Sequence, residues 1–398
     1  MRSEQEGRSC GRSFFRGCSA RISAVRNGWV SFGQNGAESI LAGFAIWCIS
    51  FLISAPDWNL LSSRFFIFSQ QVADPFYRDL EKAFLGFRIL IPSIAWLLHF
   101  NRWGGLALIY ACSALSLAAM FHLLRREIVP FESLWFCLTM SLTPFVQGST
   151  VYIGYPDAAG WLMVAFAMLD PRPIFWGIAA LLIQMNDERG LLALPLALAV
   201  VAYPARHSLR QAYLSLRGLT WALIIGFTAG QLLRHSIASG LVGGRPIEGN
   251  IYPEPANLSI FYLFLGLVAS YKALWPFAIY VIARTFRDPT ERKAYWFWFG
   301  VVGWGLVVIL ICSYVSDYWR SLAALFPLFN LFLLQAENKY FNPTSLRQCI
   351  LSIALISLIL PQFAQMGNHV AWIRPLPVGI YELMKGKSIL PTWLRALQ

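Results

Sequence analysis

Charged residues are scarce in this sequence of 398 residues, and their scarcity excludes most classes of protein. They make up 13% of the chain, against about 25% in ordinary soluble domains, whereas apolar residues make up 57%. A water-soluble globule of this size cannot hide so much apolar surface. The composition therefore excludes a cytosolic enzyme and a disordered chain, and it predicts a membrane protein.

Cysteine and histidine are also few, and neither forms a pattern. The chain has seven cysteines and five histidines, and most of the cysteines lie in apolar runs, where cysteine behaves as a small hydrophobic residue. Without a C-x-x-C motif or a Cys/His cluster, we expect no disulfide framework and no transition-metal site. Acidic residues at a membrane interface can hold Mg²⁺ or Mn²⁺ through oxygen ligands, but nothing in the sequence demands a metal, and none is assigned.

What the sequence has instead is a succession of apolar runs of helical length, with no internal repeat. The runs lack the alternation of barrel strands, and only helices and closed barrels satisfy the backbone in lipid. At roughly 20 residues per span, we expect an all-α fold, a polytopic transmembrane bundle of about eleven spans over residues 38–362. Residues 1–37 are expected to form a disordered cytoplasmic tail, and residues 363–398 an outer C-terminal tail.

The basic residues indicate which loops share a side of the membrane. Run 84–100 is short and contains Arg88 and Pro92; if it does not span, the loops after residues 124, 169, 203, 283 and 335 face the side of the N-terminal tail. Those loops hold 12 basic residues, and the opposite short loops hold four. The positive-inside rule then predicts a cytoplasmic N-terminus and a long outer loop, 57–104, that contains an interfacial helix. The net charge of +12 is mostly topological, so we expect membrane lipids and not nucleic acid as partners.

The outer loop concentrates acids and cations of the kind that act on phosphate esters. A carboxylate can act as a general base, and a neighbouring arginine can bind phosphate through two hydrogen bonds. An ordinary solvated loop, with its first acid capping a helix, accounts for the same residues. The candidates in this loop are Asp74, Tyr77, Arg78, Asp79 and Arg88.

The turn Asp187-Glu188-Arg189 separates two apolar runs of about 13 and 14 residues, each shorter than the roughly 20 needed to cross. These charges are therefore expected below the interface, in a cavity. Charges at membrane depth are expensive and usually functional. An internal salt bridge that holds a broken hairpin is an equal alternative.

Four further charges accompany these turns. Asp317 and Arg320 form either a local ion pair or an anion site, and Asp157 is interpreted as a helix cap. Lys272, in the middle of an apolar run, either snorkels to the interface or reaches the same cavity. Together, the outer charges suit a lipid phosphate whose head is bound while its tail stays in the bilayer.

Several motifs resemble the polytopic GT-C glycosyltransferase-like proteins of bacterial surface-polymer loci. They are Asp-x-x-Tyr at 74–77, Arg-Ile-Leu-x-Pro-x-x-Ala-Trp-Leu-Leu at 88–98, Arg-Arg at 125–126, and Asp-Glu-Arg-Gly-Leu-Leu-x-Leu-Pro at 187–195. The resemblance covers about residues 40–335. It implies an enzyme of the bacterial cytoplasmic (inner) membrane that transfers a sugar, with inversion, from a polyprenyl-phosphate donor to a glycan, lipid or protein acceptor.

The resemblance also implies roles for the candidates. Asp74 would be the catalytic base, with Asp79 in reserve, and Arg88, Arg189 or Arg320 would hold the donor phosphate. Stricter members of the family often have paired acids in this loop, whereas Asp74 is followed by Pro75. The other substrate-binding candidates are Tyr77, Arg78, Asp187, Glu188 and Asp317.

Two other classes of function fit the same charges. A transporter or flippase for a lipid-linked or anionic substrate also uses broken helices and buried charges, although it usually has an internal repeat. A non-catalytic subunit of a membrane complex is the third alternative.

Overall fold

The computed structural model describes residues 35–54, 63–77, 86–151, 154–244, 246–247, 258–315, 317–366 and 368–385. Two of the candidate site residues, Arg78 and Asp79, lie outside this part of the chain. So does most of the predicted N-terminal tail.

Helices account for most of the described residues. In chain order they are α1 Asn35–Ile53, α2 Ser63–Ala73, α3 Leu90–Leu97, α4 Arg102–Leu124, α5 Pro130–Ser141, α6 Pro144–Thr150, α7 Asp157–Leu169, α8 Pro173–Gln184, α9 Gly190–Ala202, α10 Leu209–Ala238, α11 Ile260–Tyr271, α12 Leu274–Arg287, α13 Tyr295–Cys312, α14 Tyr318–Ser321, α15 Phe326–Gln335, α16 Pro343–Ile359 and α17 Leu376–Met384. Two strands, β1 Gln362–Met366 and β2 His369–Ile373, lie between α16 and α17.

Five helical segments of the described chain are long and apolar enough to cross a membrane. A sixth span results if α11 and α12, which meet at an angle of 86°, are counted as one broken helix. These lengths are those of an integral membrane protein. Four shorter apolar helices of 12 to 17 residues, α7, α8, α9 and α16, accompany them, so the count of about eleven spans stays a prediction. The five long segments are Asn35–Ile53, Arg102–Leu124, Leu209–Ala238, Pro289–Cys312 and Tyr318–Tyr340.

Local sequence sets the ends of several helices. The side chain of Asn101 accepts hydrogen bonds from the backbone N–H groups of Trp103 and Gly104 at 3.1 and 3.0 Å, and so caps α4. Asn342 caps α16 in the same way, accepting from Ser345 N at 2.8 Å. Proline occupies the first turn of α5, α6, α8 and α16, where its missing N–H has no helical partner to lose.

The segment predicted to be the first outer loop and the C-terminal region both contain structure that hydropathy does not indicate. Within run 84–100 the helix α3 has only eight residues, about 12 Å at 1.5 Å per residue, so it does not cross. The expectation of a purely helical fold misses one element in the predicted C-terminal tail. There, β1 and β2 form an antiparallel hairpin with Phe363 opposite Trp372.

The segment Tyr318–Tyr340 lies at the centre of the bundle, and it is the only one of the five long segments in the described chain whose apolar window is wholly buried. Aromatic rings surround it. Phe326 contacts Phe145 of α6 with ring centroids 4.4 Å apart, and Phe329 stacks on Tyr271 of α11 at 4.1 Å. This central segment carries Arg320 close to its beginning, so a charge enters the core at one end.

At the opposite end of α9 from Arg189, three of the loops that charge counting assigns to one side meet at Glu291. This buried carboxylate lies 3.3 Å from Arg206, 3.4 Å from Lys339 and 3.6 Å from His207. Trp298 Nε1 donates a hydrogen bond to it at 3.2 Å. Loops that begin after residues 203, 283 and 335 therefore share one end of the bundle.

We expect single cysteines, introduced into a cysteine-free background, to be labelled from opposite sides of the membrane at the two ends of the bundle. Arg292→Cys and Asn338→Cys lie at exposed positions of the Glu291 end, and Arg102→Cys is exposed at the start of α4. A membrane-impermeant maleimide should reach position 102 in intact spheroplasts, and positions 292 and 338 only in inverted vesicles. Labelling of 102 and 338 from the same side would contradict the arrangement.

Candidate functional site

Four separate segments bring buried charges together at one end of the bundle. Arg88 precedes α3, and Asp157 is the first residue of α7. Asp187 and Arg189 lie in the turn between α8 and α9, and Asp317 and Arg320 lie at α14. We refer to these six residues as the arginine–aspartate network.

Asp187 joins two of the arginines. Its Oδ2 lies 2.9 Å from Arg88 Nη2. Arg189 donates from Nε to Oδ1 at 2.7 Å and from Nη2 to Oδ2, so that it grips the carboxylate with both arms of its guanidinium. The backbone N–H of Arg189 also donates to Oδ1, at 3.1 Å. Charge-assisted pairs of this geometry are among the strongest polar contacts in proteins.

Asp157 extends the network to the central segment. Arg189 Nη2 lies 3.3 Å from both of its carboxylate oxygens, and Arg320 Nε lies 3.3 Å from Oδ2. Arg320 then pairs through Nη2 with Asp317 Oδ2 at 2.6 Å. The interpretation of Asp157 as a helix cap is therefore wrong, because its carboxyl group contacts two arginines.

Hydrogen bonds to backbone carbonyl groups tie three of the four segments together. Leu90 N donates to Met185 O at 2.9 Å, which ties the segment of Arg88 to the α8–α9 turn. Asn186 Nδ2 donates to Pro156 O at 2.9 Å and ties the same turn to the start of α7. A Cβ at Gly148 of α6 would lie 3.0 Å from Arg320 Cγ, so glycine at this position leaves room for the arginine.

An aromatic ring covers part of the network. The guanidinium carbon of Arg320 lies 3.7 Å from the centroid of the Tyr155 ring, and that of Arg88 lies 5.8 Å from it. Such cation–π contacts strengthen when they are shielded from water. Tyr155 therefore bridges two arginines that have different carboxylate partners.

The two turn aspartates are held in the charged form. Burial alone would raise the pKa of Asp187, but Arg189 and Arg88 outweigh burial and hold its pKa well below the ordinary value. Burial would likewise raise the pKa of Asp317, and Arg320 and Arg189 lower it overall. Asp317 has the most exposed carboxyl group of the three aspartates, with 27% of its side chain accessible, while those of Asp157 and Asp187 are buried. Asp317 is therefore the carboxyl group of the network that is most accessible from outside.

Of the residues singled out by sequence, Glu188 points away from the network. Its carboxylate lies 3.6 Å from Arg234 of α10, whose guanidinium stacks over Phe87 at 4.4 Å. Glu188 thus ties the turn to a neighbouring helix, while Asp187 beside it faces the arginines.

Asp74 is exposed and follows the C-terminal end of α2, so it does not cap the start of a helix. Its Oδ1 accepts a hydrogen bond from Phe76 N at 3.0 Å, which forms a tight Asx turn. Phe76 packs in the same apolar cluster as Phe87 and Met185. The segment that contains Asp74 and the half-buried Tyr77 therefore lies beside the segment of Arg88. It also lies next to the turn that contains Asp187.

Sequence reasoning missed Asp157 as a member of the network and Tyr155 as the ring that covers part of it. A signal was available: Asp157, like Asp187, precedes an apolar run that is too short to span the membrane. The same argument therefore places Asp157 below the interface. Among the described residues no group of three or more His, Cys, Asp or Glu side chains is placed to hold a metal ion. Each carboxyl group of the network is instead matched to a guanidinium.

No family model matches the chain, and neither a curated protein nor a solved structure matches it.

Proposed function

We propose that the chain is an integral-membrane glycosyltransferase that moves a sugar from a polyprenyl-phosphate donor to an acceptor on the outer face of the membrane. The observation that carries this proposal is the arginine–aspartate network at the end of the bundle opposite Glu291. A purely structural contact between these segments needs no charge, since apolar packing is often as stable as a buried ion pair. Six charged side chains from four segments indicate a task that charge alone can perform.

The network suits a phosphate group that remains attached to a lipid. A donor phosphate entering beside Asp317 would compete for the Nη2 hydrogen bond of Arg320, because Asp317 is the most accessible partner. Arginine binds phosphate through two parallel hydrogen bonds. Fixed guanidiniums that are already oriented by Asp157 and Asp187 would stabilise the negative charge that grows on the phosphate as it leaves.

Asp74 is the base in this proposal. It takes the proton of the acceptor hydroxyl as that oxygen attacks the anomeric carbon, and the bond from that carbon to the phosphate oxygen breaks on the opposite face of the sugar. The products are the glycosylated acceptor, with inverted configuration, and polyprenyl phosphate. The exposure of Asp74 and its position next to the Asp187 turn support this role; Asp79 is the second candidate.

Asp74→Asn is expected to reduce sugar transfer by about 10²- to 10⁴-fold, the usual contribution of a general base. Asparagine also forms Asx turns, so the fold around Phe76 should persist. The measurement is transfer of labelled sugar from a panel of polyprenyl-phosphate sugars in proteoliposomes, with Asp74→Glu as the matched control that retains the base. Full activity of Asp74→Asn would exclude Asp74 and direct the same test to Asp79.

A transporter or flippase for a lipid-linked substrate is the second candidate. The observation that favours it is the 86° break between α11 and α12, since broken helices form substrate sites in transporters. The same proteoliposomes distinguish the classes. An enzyme forms glycosylated product and a flippase moves the intact donor to the other leaflet, whereas a non-catalytic subunit does neither.

A further inference from the structure

The break between α11 and α12 places a lysine in an unusual backbone conformation. Lys272 has φ 44° and ψ −118°, in a region where glycine is the usual residue. Backbone geometry therefore disfavours lysine at this position. Strained residues of this kind cluster at functional sites.

The ammonium group of Lys272 belongs to a short chain of hydrogen bonds between buried polar side chains. Its Nζ contacts Gln362 Oε1, and Gln147 Nε2 donates to the same oxygen at 3.1 Å. Gln147 also donates to Ser54 Oγ at 2.6 Å. In the described part of the chain, no carboxylate oxygen lies within 4.0 Å of Lys272 Nζ, the distance at which an ion pair forms. Gln362 Oε1 thus accepts from both the ammonium group of Lys272 and the amide of Gln147. No negative charge among these groups balances the positive charge of the ammonium.

An apolar groove begins at the same glutamine. It has a volume of about 520 Å³ and lies between Ile53, the end of α16 and the hairpin, within the usual size of a small-molecule site. Leu358, Ile359, Phe363 and Trp372 contribute to its walls, and Gln362 lies among them. Ile359 is 80% exposed at the edge of the bundle, so the groove faces the lipid that surrounds the protein.

Helix α11 and the hairpin connect this site to the end of the bundle that holds the arginine–aspartate network. Helix α11 packs along β1. Just before this helix, the N–H of Ser259 donates to Asn368 Oδ1 at 3.1 Å, and just after it Lys272 lies beside Gln362. The hairpin in turn joins the end of the bundle that holds the network, because Gln365 Oε1 accepts from Trp319 N at 3.2 Å. Ile260, Phe261 and Phe264 are exposed on α11, so this helix presents an apolar surface to the surrounding lipid.

We propose that the groove and Lys272 bind an anionic phospholipid of the surrounding bilayer, with an acyl chain in the groove and the phosphate at the Lys272 ammonium. This site is separate from the arginine–aspartate network. Helix α6 stands between them, with Gln147 directed toward Lys272 and Gly148 toward Arg320. The inference does not depend on the proposed transferase activity.

The test uses the full chain in nanodiscs of phosphatidylcholine, with fluorescent phosphatidylglycerol as the probe. We expect the wild type to bind phosphatidylglycerol about fivefold more tightly than phosphatidylcholine, the usual contribution of one basic residue near a membrane surface. Lys272→Gln should lose this preference and Lys272→Arg should keep it. Lys293→Gln, at an exposed position on the Glu291 end, is the matched control and should also keep it.

Lys272→Gly separates binding from folding. Glycine relieves the backbone conformation, so we expect a melting temperature in neutral lipid at or above that of the wild type, together with loss of the phosphatidylglycerol preference. An unchanged preference in both Lys272→Gln and Lys272→Gly overturns the proposal. It is also overturned if polyprenyl phosphate binds more tightly than phosphatidylglycerol and only that binding requires Lys272, because the site would then belong to the donor.

Discussion

Asp187→Ala is expected to reduce the free energy of unfolding by about 3–5 kcal/mol, the usual cost of removing one partner from a buried ion pair. The substitution removes the carboxylate that Arg88 and Arg189 share. Both guanidiniums are largely buried, and neither can move into water without breaking the contacts of its own segment. The remaining carboxyl groups, Asp157 and Asp317, would face three arginines.

Thermal unfolding of the purified protein in detergent is the measurement for this prediction. Glu188→Ala is the matched control, because it lies in the same turn but pairs at 3.6 Å with Arg234 and has 35% of its side chain exposed. A partly exposed pair of this kind contributes about 0–1 kcal/mol. Asp187→Asn keeps the side-chain volume and tests charge alone. Equal stability of the alanine variants at 187 and 188 would show that the network does not hold the fold.

Gly226→Leu is expected to be the most disruptive single substitution in α10, with a loss of at least about 3 kcal/mol, at the upper end of the usual cost of overpacking. A Cβ at position 226 would lie 2.1 Å from the carbonyl oxygen of Gly177 in α8. Backbone atoms cannot rotate away as a side chain can. The two helices would have to separate, which would also break the hydrogen bond from Gln184 Nε2 to Phe227 O at 3.1 Å.

The yield of folded protein and its melting temperature test this prediction, with Gly300→Leu in α13 as the control. A Cβ at Gly300, which lies on the exposed side of α13, would have no neighbouring atom within 4 Å, and a surface substitution of this kind usually changes stability by less than about 0.5 kcal/mol. Similar melting temperatures for the leucine variants at 226 and 300 would refute the close crossing of α8 and α10.

The sequence predicts the membrane class and the meeting of several distant charges, because both follow from simple energetics. Burying apolar surface in lipid requires only composition. Counting basic residues by loop groups Arg206, Lys339 and the loop of Glu291 on one side, and these residues do meet at the Glu291 carboxylate. Likewise, the short runs around Asp187 indicate a buried turn, and its partners Arg88 and Arg189 were both among the candidates.

Other features follow from tertiary contacts that a hydropathy pattern does not contain. Asp157 precedes an apolar run as an ordinary cap would, and only the arrival of Arg189 and Arg320 distinguishes it. The helix bends at Lys272 in the middle of an apolar run. Hydropathy does not reveal this bend, because it measures the length of an apolar run and not the direction of the chain. Gly226 and Gly230 form a G-x-x-x-G pattern, the small-residue spacing of closely packed membrane helices, yet the pattern does not say which helix they contact.

The network also ties the order of synthesis to the completion of the structure. Asp157 receives Arg189 from the next helical hairpin, but its second partner, Arg320, is made only after α13. A nascent chain that ends before α14 therefore holds a carboxyl group that is half matched in a medium where charge is costly. Each newly made protein therefore carries this half-matched carboxyl group until its central segment is inserted.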